Sequence, residues 1–252
     1  MPLPKSHSHR FPPPRLLSLF AIACLLFIAI AASPDEEQTP ANGDDWLTFY
    51  YHDPRPDQVV PQLKAWSSEG TLQDKQARAP LVGFLSQVFR HNADRIDDWY
   101  SRVKDLPAED LETITMALWM SDTKEAKQLL QKERPGVFDE KPPPDILKLK
   151  LDTPSTLDLL WGYYYATGDS KALRRIVSMF NYADAPDKVK GVPDDHTPLY
   201  KILPDAAKWS LSSNAAQHPK VLADCKKMLT AGQLNATEKE WLEQTLQQAV
   251  TK

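Results

Sequence analysis

Residues 157–180 read L-D-L-L-W-G-Y-Y-Y-A-T-G-D-S-K-A-L-R-R-I-V-S-M-F and carry the signals of two helices joined by a tight turn. At helical spacing an arc of roughly 140° holds five large side chains, which are Leu157, Leu160, Trp161, Tyr164 and Tyr165. Such an arc is typical of a stripe that faces a protein core. Packing therefore explains most of these rings better than a ligand pocket, with sugar or small-ligand binding through stacked aromatics as the alternative.

The turn and the second helix complete a helical hairpin. Gly168 can adopt the left-handed conformation that ends a helix, and Asp169 can cap the next one. The second helix has one apolar face, made of Ala172, Leu173, Ile176, Val177 and Phe180. Gly162 costs about 1 kcal/mol in helix propensity, but it would let a neighbouring helix approach closely.

Three side chains of this hairpin are candidate binding residues. Tyr163 lies opposite the core stripe, and its hydroxyl needs a hydrogen-bond partner or water. Arg174 and Arg175 lie on the polar side of the second helix, where they could meet an acidic partner or an anionic glycan. The competing interpretation for both arginines is a solvated face whose aliphatic stems cover neighbouring residues.

Similar amphipathic segments recur along the chain. Helical spacing predicts helices over 57–68, 74–90, 96–103, 107–119, 122–130 and 237–250, the last with Thr237 and Glu240 as a capping box. The chain has 22 prolines and 8 glycines, which favours helices separated by proline over tight β-turns. The predicted fold is all-α, with irregular stacked hairpins of the α-solenoid or tetratricopeptide-like kind, because the turns lack a fixed period.

Two segments interrupt the helical pattern. Residues 134–154 contain three consecutive prolines and then I-L-K-L-K-L, whose alternation predicts a short extended stretch. This segment is either a long connection or the boundary between two halves of one helical domain, 46–252. Residues 183–198 form a second irregular stretch, rich in turn-forming residues.

The amino terminus predicts export. Basic residues precede an apolar run over 16–32 that ends in small residues, so 1–32 is predicted to be a signal peptide or an N-terminal membrane anchor. Residues 33–45 are acidic and aperiodic, which predicts a flexible spacer. We therefore expect a periplasmic protein, or one anchored to the inner membrane and facing the periplasm, with the N-terminal segment as its one membrane contact.

The charge balance argues against nucleic acid as a partner. Without residues 1–32 the chain carries 27 basic and 34 acidic residues, a formal charge of −7. So acidic a domain is poorly suited to neutralising phosphates. Cys225 is then the one remaining cysteine, so no internal disulfide can form.

The chain lacks the motifs of common catalytic sites. The sequence contains no G-x-S-x-G, phosphate loop, H-E-x-x-H or paired C-x-x-C. Its best polar cluster is Asp194, Asp195 and His196, which could bind a cation but is better explained as an exposed turn. The sequence therefore predicts no catalytic residue, no metal and no cofactor, and it favours a protein that is not an enzyme.

Two stretches resemble a known group of proteins. W-L-T-F-Y-Y-H-D-P-R-P-D-Q-V-V-P-Q-L at 46–63 and W-G-Y-Y-Y-A-T-G-D at 161–169 resemble segments of uncharacterised exported bacterial helical proteins, of the domain-of-unknown-function type. The resemblance covers residues 46–182. It implies an envelope location and a helical fold, and it brings no known active site.

Two hypotheses of function result. The first is an interaction or scaffold module of the cell envelope, binding a protein or peptide in a groove between hairpins. The second is a hydrolase of cell-wall or glycan substrates whose acid and base are carboxylates scattered along the sequence.

Overall fold

Eleven α-helices occupy the part of the chain that the computed structural model describes, residues 45–138, 142–185 and 199–250. They are α1 (Asp45–Thr48), α2 (Val59–Ser68), α3 (Lys75–His91), α4 (Ile96–Ser101), α5 (Ala108–Ser121), α6 (Lys124–Glu133), α7 (Pro154–Thr167), α8 (Ser170–Val177), α9 (Leu203–Gln217), α10 (Pro219–Thr230) and α11 (Ala236–Val250). Short 3-10 turns join several of them, and these ranges contain no strand. The predicted all-α fold is confirmed.

The α7–α8 hairpin begins and ends as its sequence predicts. Pro154 lies in the first turn of α7, where a missing amide hydrogen costs no helical hydrogen bond. Gly168 ends α7 in the left-handed conformation, with a φ of 60°. Asp169 then caps α8 by accepting a hydrogen bond from the Lys171 amide at 2.9 Å. Local sequence therefore encodes this hairpin.

Close backbone contact joins α7 to α3. A Cβ atom on Gly162 would overlap the Pro80 carbonyl oxygen and lie 2.7 Å from the Phe84 amide nitrogen. On the α3 side, a Cβ atom on Gly83 would overlap the Leu159 carbonyl oxygen. The prediction that Gly162 permits close approach is confirmed, because a side chain at either glycine would push the helices apart.

Two clusters of buried apolar residues form the core. The first joins α1 to α6, and the second is built mainly from α7 to α11. Trp119 and Tyr165 pack against both clusters. The predicted stripe of α7 is buried as expected at Leu157, Leu160, Trp161 and Tyr164, each at most 5% exposed, whereas Tyr165 is partly buried.

The order of helix packing departs from a simple stack of neighbours. α3 packs mainly on α7 and α5, while α9 packs on α11 and α10. In a solenoid each repeat contacts the adjacent repeats, yet the α3–α7 contact skips three helices. The solenoid-like and tetratricopeptide-like arrangement stays a prediction, as does the division into halves near 134–154. The described residues all lie in one compact unit, Pro40–Lys252.

The prediction that I-L-K-L-K-L, residues 146–151, forms an extended stretch is wrong. Ile146–Lys148 is a 3-10 turn, capped by Asp145, whose side chain accepts a hydrogen bond from the Leu147 amide at 2.9 Å. Ile146 and Leu151 are buried in the second core, while the two lysines between them are exposed. The alternation therefore reflects a loop that inserts apolar side chains into the core.

The capping box of α11 also differs from its prediction. Asn235 rather than Thr237 accepts a hydrogen bond from the Glu238 amide, at 2.9 Å. Glu238 rather than Glu240 accepts one from the Asn235 amide, at 3.1 Å. Asn235 and Glu238 have the same spacing as Thr237 and Glu240, so the local sequence contains two capping boxes, and the one that the structure adopts also has the tertiary contacts of Glu238 described below.

Several sequence predictions lie outside the described residues. They are the export segment 1–32, the spacer 33–45 except Asp45, and the cluster Asp194, Asp195 and His196. Among the helices that are described, none is long and apolar enough to cross a membrane.

Candidate functional site

Arg174, one of the predicted binding residues, is held by a buried carboxylate. Its guanidinium donates two hydrogen bonds to Glu238, at 2.9 Å and 3.0 Å. The Glu238 side chain is 3% exposed and also accepts a hydrogen bond from Asn181 at 3.0 Å. The Asn235 side chain donates to the side-chain Oδ1 of Asn181 at 2.7 Å. We call these four residues the Arg174 network. Because a buried charge needs a partner, the network explains Arg174 without an external ligand.

Arg175 and Tyr163, the other two candidates, also contact the protein itself. Arg175 donates a hydrogen bond to the Leu149 carbonyl oxygen, which ties α8 to the loop before α7. Tyr163 is partly buried against the second core. Burial raises the pKa of its hydroxyl, and Asp169 raises it further. Tyr163 is therefore a neutral phenol at pH 7, and a role in binding stays a prediction for all three residues.

A polar cluster that the sequence did not indicate surrounds His218, at the junction of α9 and α10. The Tyr51 hydroxyl lies 3.3 Å from Nδ1 of His218, and the Phe49 ring lies 4.3 Å from the imidazole between centroids. Tyr165 donates a hydrogen bond to Asn214 on α9. The Tyr51 amide donates to the Tyr165 carbonyl oxygen at 2.9 Å. We call Phe49, Tyr51, Tyr165, Asn214 and His218 the His218 cluster.

The hydrogen-bonded pair in this cluster is neutral at pH 7. His218 is 1% exposed, and burial lowers the pKa of its imidazole to about 4. Burial also raises the pKa of the Tyr51 hydroxyl. A general base works best when its pKa lies near the operating pH, so this pair is suited to holding two parts of the chain together rather than to catalysis.

Asp158 carries the one carboxyl group of α7, and its pKa is well above the ordinary value. It is partly buried, and burial raises the pKa of its side chain to about 6. A carboxyl group with such a pKa can hold or release a proton near neutral pH, as a general acid in glycoside hydrolysis must.

An exposed apolar face is formed by the 3-10 turn Leu199–Ile202 and the first half of α9 that follows it. Leu199 is 57% exposed, Ile202 is 47% exposed and Trp209 is 51% exposed. Ile202 and Trp209 are seven residues apart, which places them on the same side of the helix about 10 Å apart along its axis. Ala206 lies between them and is partly buried. We call these four residues the α9 face.

Within the described residues there is no cluster of metal ligands, and the cavity in the first core is too small for a substrate. No group of three His, Cys, Asp or Glu side chains within them could hold a metal ion. A cavity in the first core has a volume of about 10 Å³ and is lined by apolar side chains such as Leu63, Phe89 and Ile114. A pocket for a small ligand typically holds several hundred Å³, so this cavity is a packing void.

Comparison with other proteins gives no relative: no family model, curated protein or solved structure matches this chain. The resemblance to exported bacterial helical proteins therefore stays a prediction.

Sequence reasoning missed both His218 and Trp209 for different reasons. His218 pairs with Tyr51 across 167 residues, and no local pattern links two positions so far apart. Trp209 had a usable signal, because it shares a helix side with Ile202, opposite the buried Leu203, Ala207 and Leu211. An apolar residue on the outer side of an otherwise amphipathic helix is a pattern that a helical projection can reveal.

Proposed function

We propose that this chain is a helical interaction module of the cell envelope, and that it binds the apolar side of a protein or peptide partner through the α9 face. The observation that carries the proposal is the exposure of Trp209 at 51%, beside Ile202 at 47%. Tryptophan is enriched among the residues that dominate binding energy at protein interfaces. The polar residues considered above, Arg174 and His218, are already engaged within the fold, which supports an apolar contact over a charged one.

A site-specific photo-crosslinker tests this surface. We expect a crosslinking amino acid at Trp209, in the full chain expressed in bacteria, to give one discrete adduct. The same group at Lys239, an exposed position on α11, is the matched control and should give none. The purified partner should then bind the Trp209→Ala variant at least about tenfold more weakly, although the variant's melting temperature falls only slightly. Equal adducts at both positions, or unchanged affinity of the variant, would reject the α9 face.

The envelope location is supported by the apolar run over 16–32 and the basic residues before it. Fusing residues 1–45 to alkaline phosphatase tests it, because that enzyme needs disulfides that form only outside the cytoplasm. We expect activity from this fusion. A fusion in which two leucines of the run are replaced by arginine is the control and should be inactive. Equal activity from both fusions would argue against export by this segment.

One observation favours the second candidate function, a glycan hydrolase. The pKa of Asp158, raised by burial to about 6, is suitable for a general acid. Hydrolysis would also need a second carboxylate about 5–10 Å away. Release of reducing sugar from peptidoglycan by the purified protein, abolished in Asp158→Asn with the fold intact, would favour the hydrolase. If the unaltered protein releases no reducing sugar, the hydrolase is rejected and the interaction module stays the proposed function.

A further inference from the structure

We propose that His218 makes the contact between the N-terminal segment, residues 45–52, and the α9–α10 junction sensitive to acid, so that this contact opens at low pH while the helical body stays folded. The observation behind the proposal is the placement of a buried imidazole between a tyrosine hydroxyl and a phenylalanine ring that both come from this one segment. Such a device goes beyond partner binding at the α9 face and does not depend on it.

The contacts of the segment divide into two groups. Trp46 and Tyr50 are each 4% exposed and belong to the first apolar core. Phe49 and Tyr51 instead face the junction, at 4.3 Å between the Phe49 and His218 rings and 3.3 Å from the Tyr51 hydroxyl to Nδ1. Loss of the second group leaves the first in place, so the opening would release Phe49 and Tyr51 while Trp46 and Tyr50 stay in the first core.

The surroundings of His218 are unsuited to a positive charge. Six titratable groups face the site, namely Tyr51 from the N-terminal segment, Tyr164 and Tyr165 from α7, and Lys220, Asp224 and Cys225 from α10. Asp224, the one carboxylate of this set, is paired with Lys220 at 2.9 Å. The other acids are phenols and a thiol whose pKa values burial raises. An imidazolium here would therefore lack a free anionic partner.

The direction of the pH effect follows from proton binding. In the closed state the pKa of His218 is lowered from 6.5 to about 4, and in the open state, where solvent reaches the ring, it regains its ordinary value. The open state thus binds a proton more tightly, so acid favours opening. The ratio of open to closed molecules should rise about tenfold for each pH unit below about 6.5, and it should level off near pH 4.

Hydrogen exchange in the full chain measures this opening at a defined amide. The Tyr51 amide donates to the Tyr165 carbonyl oxygen at 2.9 Å, and the Thr71 amide, in a turn of the first core, donates to the Trp66 carbonyl oxygen at 2.8 Å. After correction for intrinsic exchange, protection of the Tyr51 amide should fall about 40-fold relative to Thr71 between pH 6.5 and 4.5, because His218 is already half protonated in the open state at pH 6.5. A constant ratio, or a parallel loss at both amides, would overturn the proposal.

Variants identify the titrating group. His218→Gln keeps a polar partner for Tyr51 and should abolish the pH dependence, whereas Asp158→Asn, which removes a carboxyl group whose pKa of about 6 lies in this range, should preserve it. The same slope in His218→Gln as in the unaltered chain would overturn the proposal. If His218→Gln does not fold, the imidazole resonances of the unaltered chain decide: a His218 pKa well below 6 supports the proposal, and a value near 6.5 rejects it.

Discussion

The contact of α3 with α7 and the contact of α8 with α11 join distant parts of the chain by opposite chemistry. At the first, Gly83 and Gly162 bring two backbones together, and the absence of side chains makes the contact possible. At the second, Arg174 binds the buried Glu238 through two hydrogen bonds, and the presence of both side chains is essential. Adding a side chain at either glycine should therefore destabilise the first contact, and removing either charged side chain should destabilise the second. The predictions below test this difference, from the largest expected effect to the smallest.

Gly162→Ala should cause the largest loss of stability at the α3–α7 contact. The added methyl group would overlap the Pro80 carbonyl oxygen and lie 2.7 Å from the Phe84 amide nitrogen, so the helices must separate. We expect the free energy of unfolding, measured with urea, to fall by about 3 kcal/mol or more, despite the gain in helix propensity.

Gly232→Ala is the matched control for Gly162→Ala. Gly232 has a φ of 68°, and no atom lies within 4 Å of a Cβ placed there. The expected loss is therefore backbone strain of about 1–2 kcal/mol. Similar losses for the two variants would show that α3 and α7 are not in close backbone contact.

Glu238→Ala should cause the next largest loss, through the Arg174 network. The change leaves the Arg174 guanidinium without its acceptor, while the Asn181 side-chain amide loses one of its two acceptors and keeps the Ser178 carbonyl oxygen. Breaking a fully buried pair costs about 3–5 kcal/mol, and we expect about 2–3 kcal/mol because the Arg174 side chain is 36% exposed. Urea unfolding measures the loss.

The exposed pair of Lys239 and Glu243, on the same helix, supplies the control. These side chains are 56% and 49% exposed and lie 3.9 Å apart, so Glu243→Ala should change stability by less than about 0.5 kcal/mol. Equal effects of Glu238→Ala and Glu243→Ala would mean that burial adds nothing to the Arg174 network.

Asp158→Asn should remove a pH-dependent loss of stability that arises in α7, one of the two helices of the α3–α7 contact. The pKa of Asp158 is raised by burial from 3.8 to about 6, so the folded state binds a proton more tightly than the unfolded state. The unaltered protein therefore loses stability as the pH rises from about 4 to 6. The asparagine variant avoids this loss, and its advantage should grow by on the order of 1 kcal/mol per pH unit.

Urea unfolding at pH 4, 5 and 6 gives the difference between Asp158→Asn and the unaltered protein. In the unaltered chain His218 has the opposite effect, since its lowered pKa makes stability fall as the pH decreases below 6.5. Without the Asp158 carboxyl group, the fall in stability that His218 causes as the pH decreases should therefore become measurable. A constant difference between the two proteins at all three pH values would show that Asp158 is not desolvated in the fold.

Trp209→Ala should have the smallest effect on stability. Half of this side chain is exposed, so its removal should lower the melting temperature only slightly and cost about 1 kcal/mol or less. Thermal unfolding provides the measurement. A loss of several kcal/mol would mean that the indole belongs to the core and would remove the main argument for the α9 face.

Much of the local structure could be predicted from the sequence. The helical spacing of apolar residues, the left-handed Gly168 and the Asp169 cap act within a few residues, so they are visible in a single stretch. The errors occurred where distant residues decide. Asn235 and Glu238 form the capping box of α11, and Arg174 and Asn181 on other elements also bind the Glu238 carboxylate. I-L-K-L-K-L forms a 3-10 turn and a loop whose Ile146 and Leu151 are buried in the second core.

The sequence by itself determined an all-α chain, the α7–α8 hairpin and the identity of the buried stripe, because these depend on helix periodicity and on caps that form locally. Only the tertiary structure decided that Gly162 meets α3, that Arg174 is paired inside the fold, and that His218 binds Tyr51 across 167 residues. It also decided which apolar side chains stay exposed, Trp209 among them. The reason is physical: propensity and capping act over a few residues, whereas burial and charge pairing depend on which helices come together.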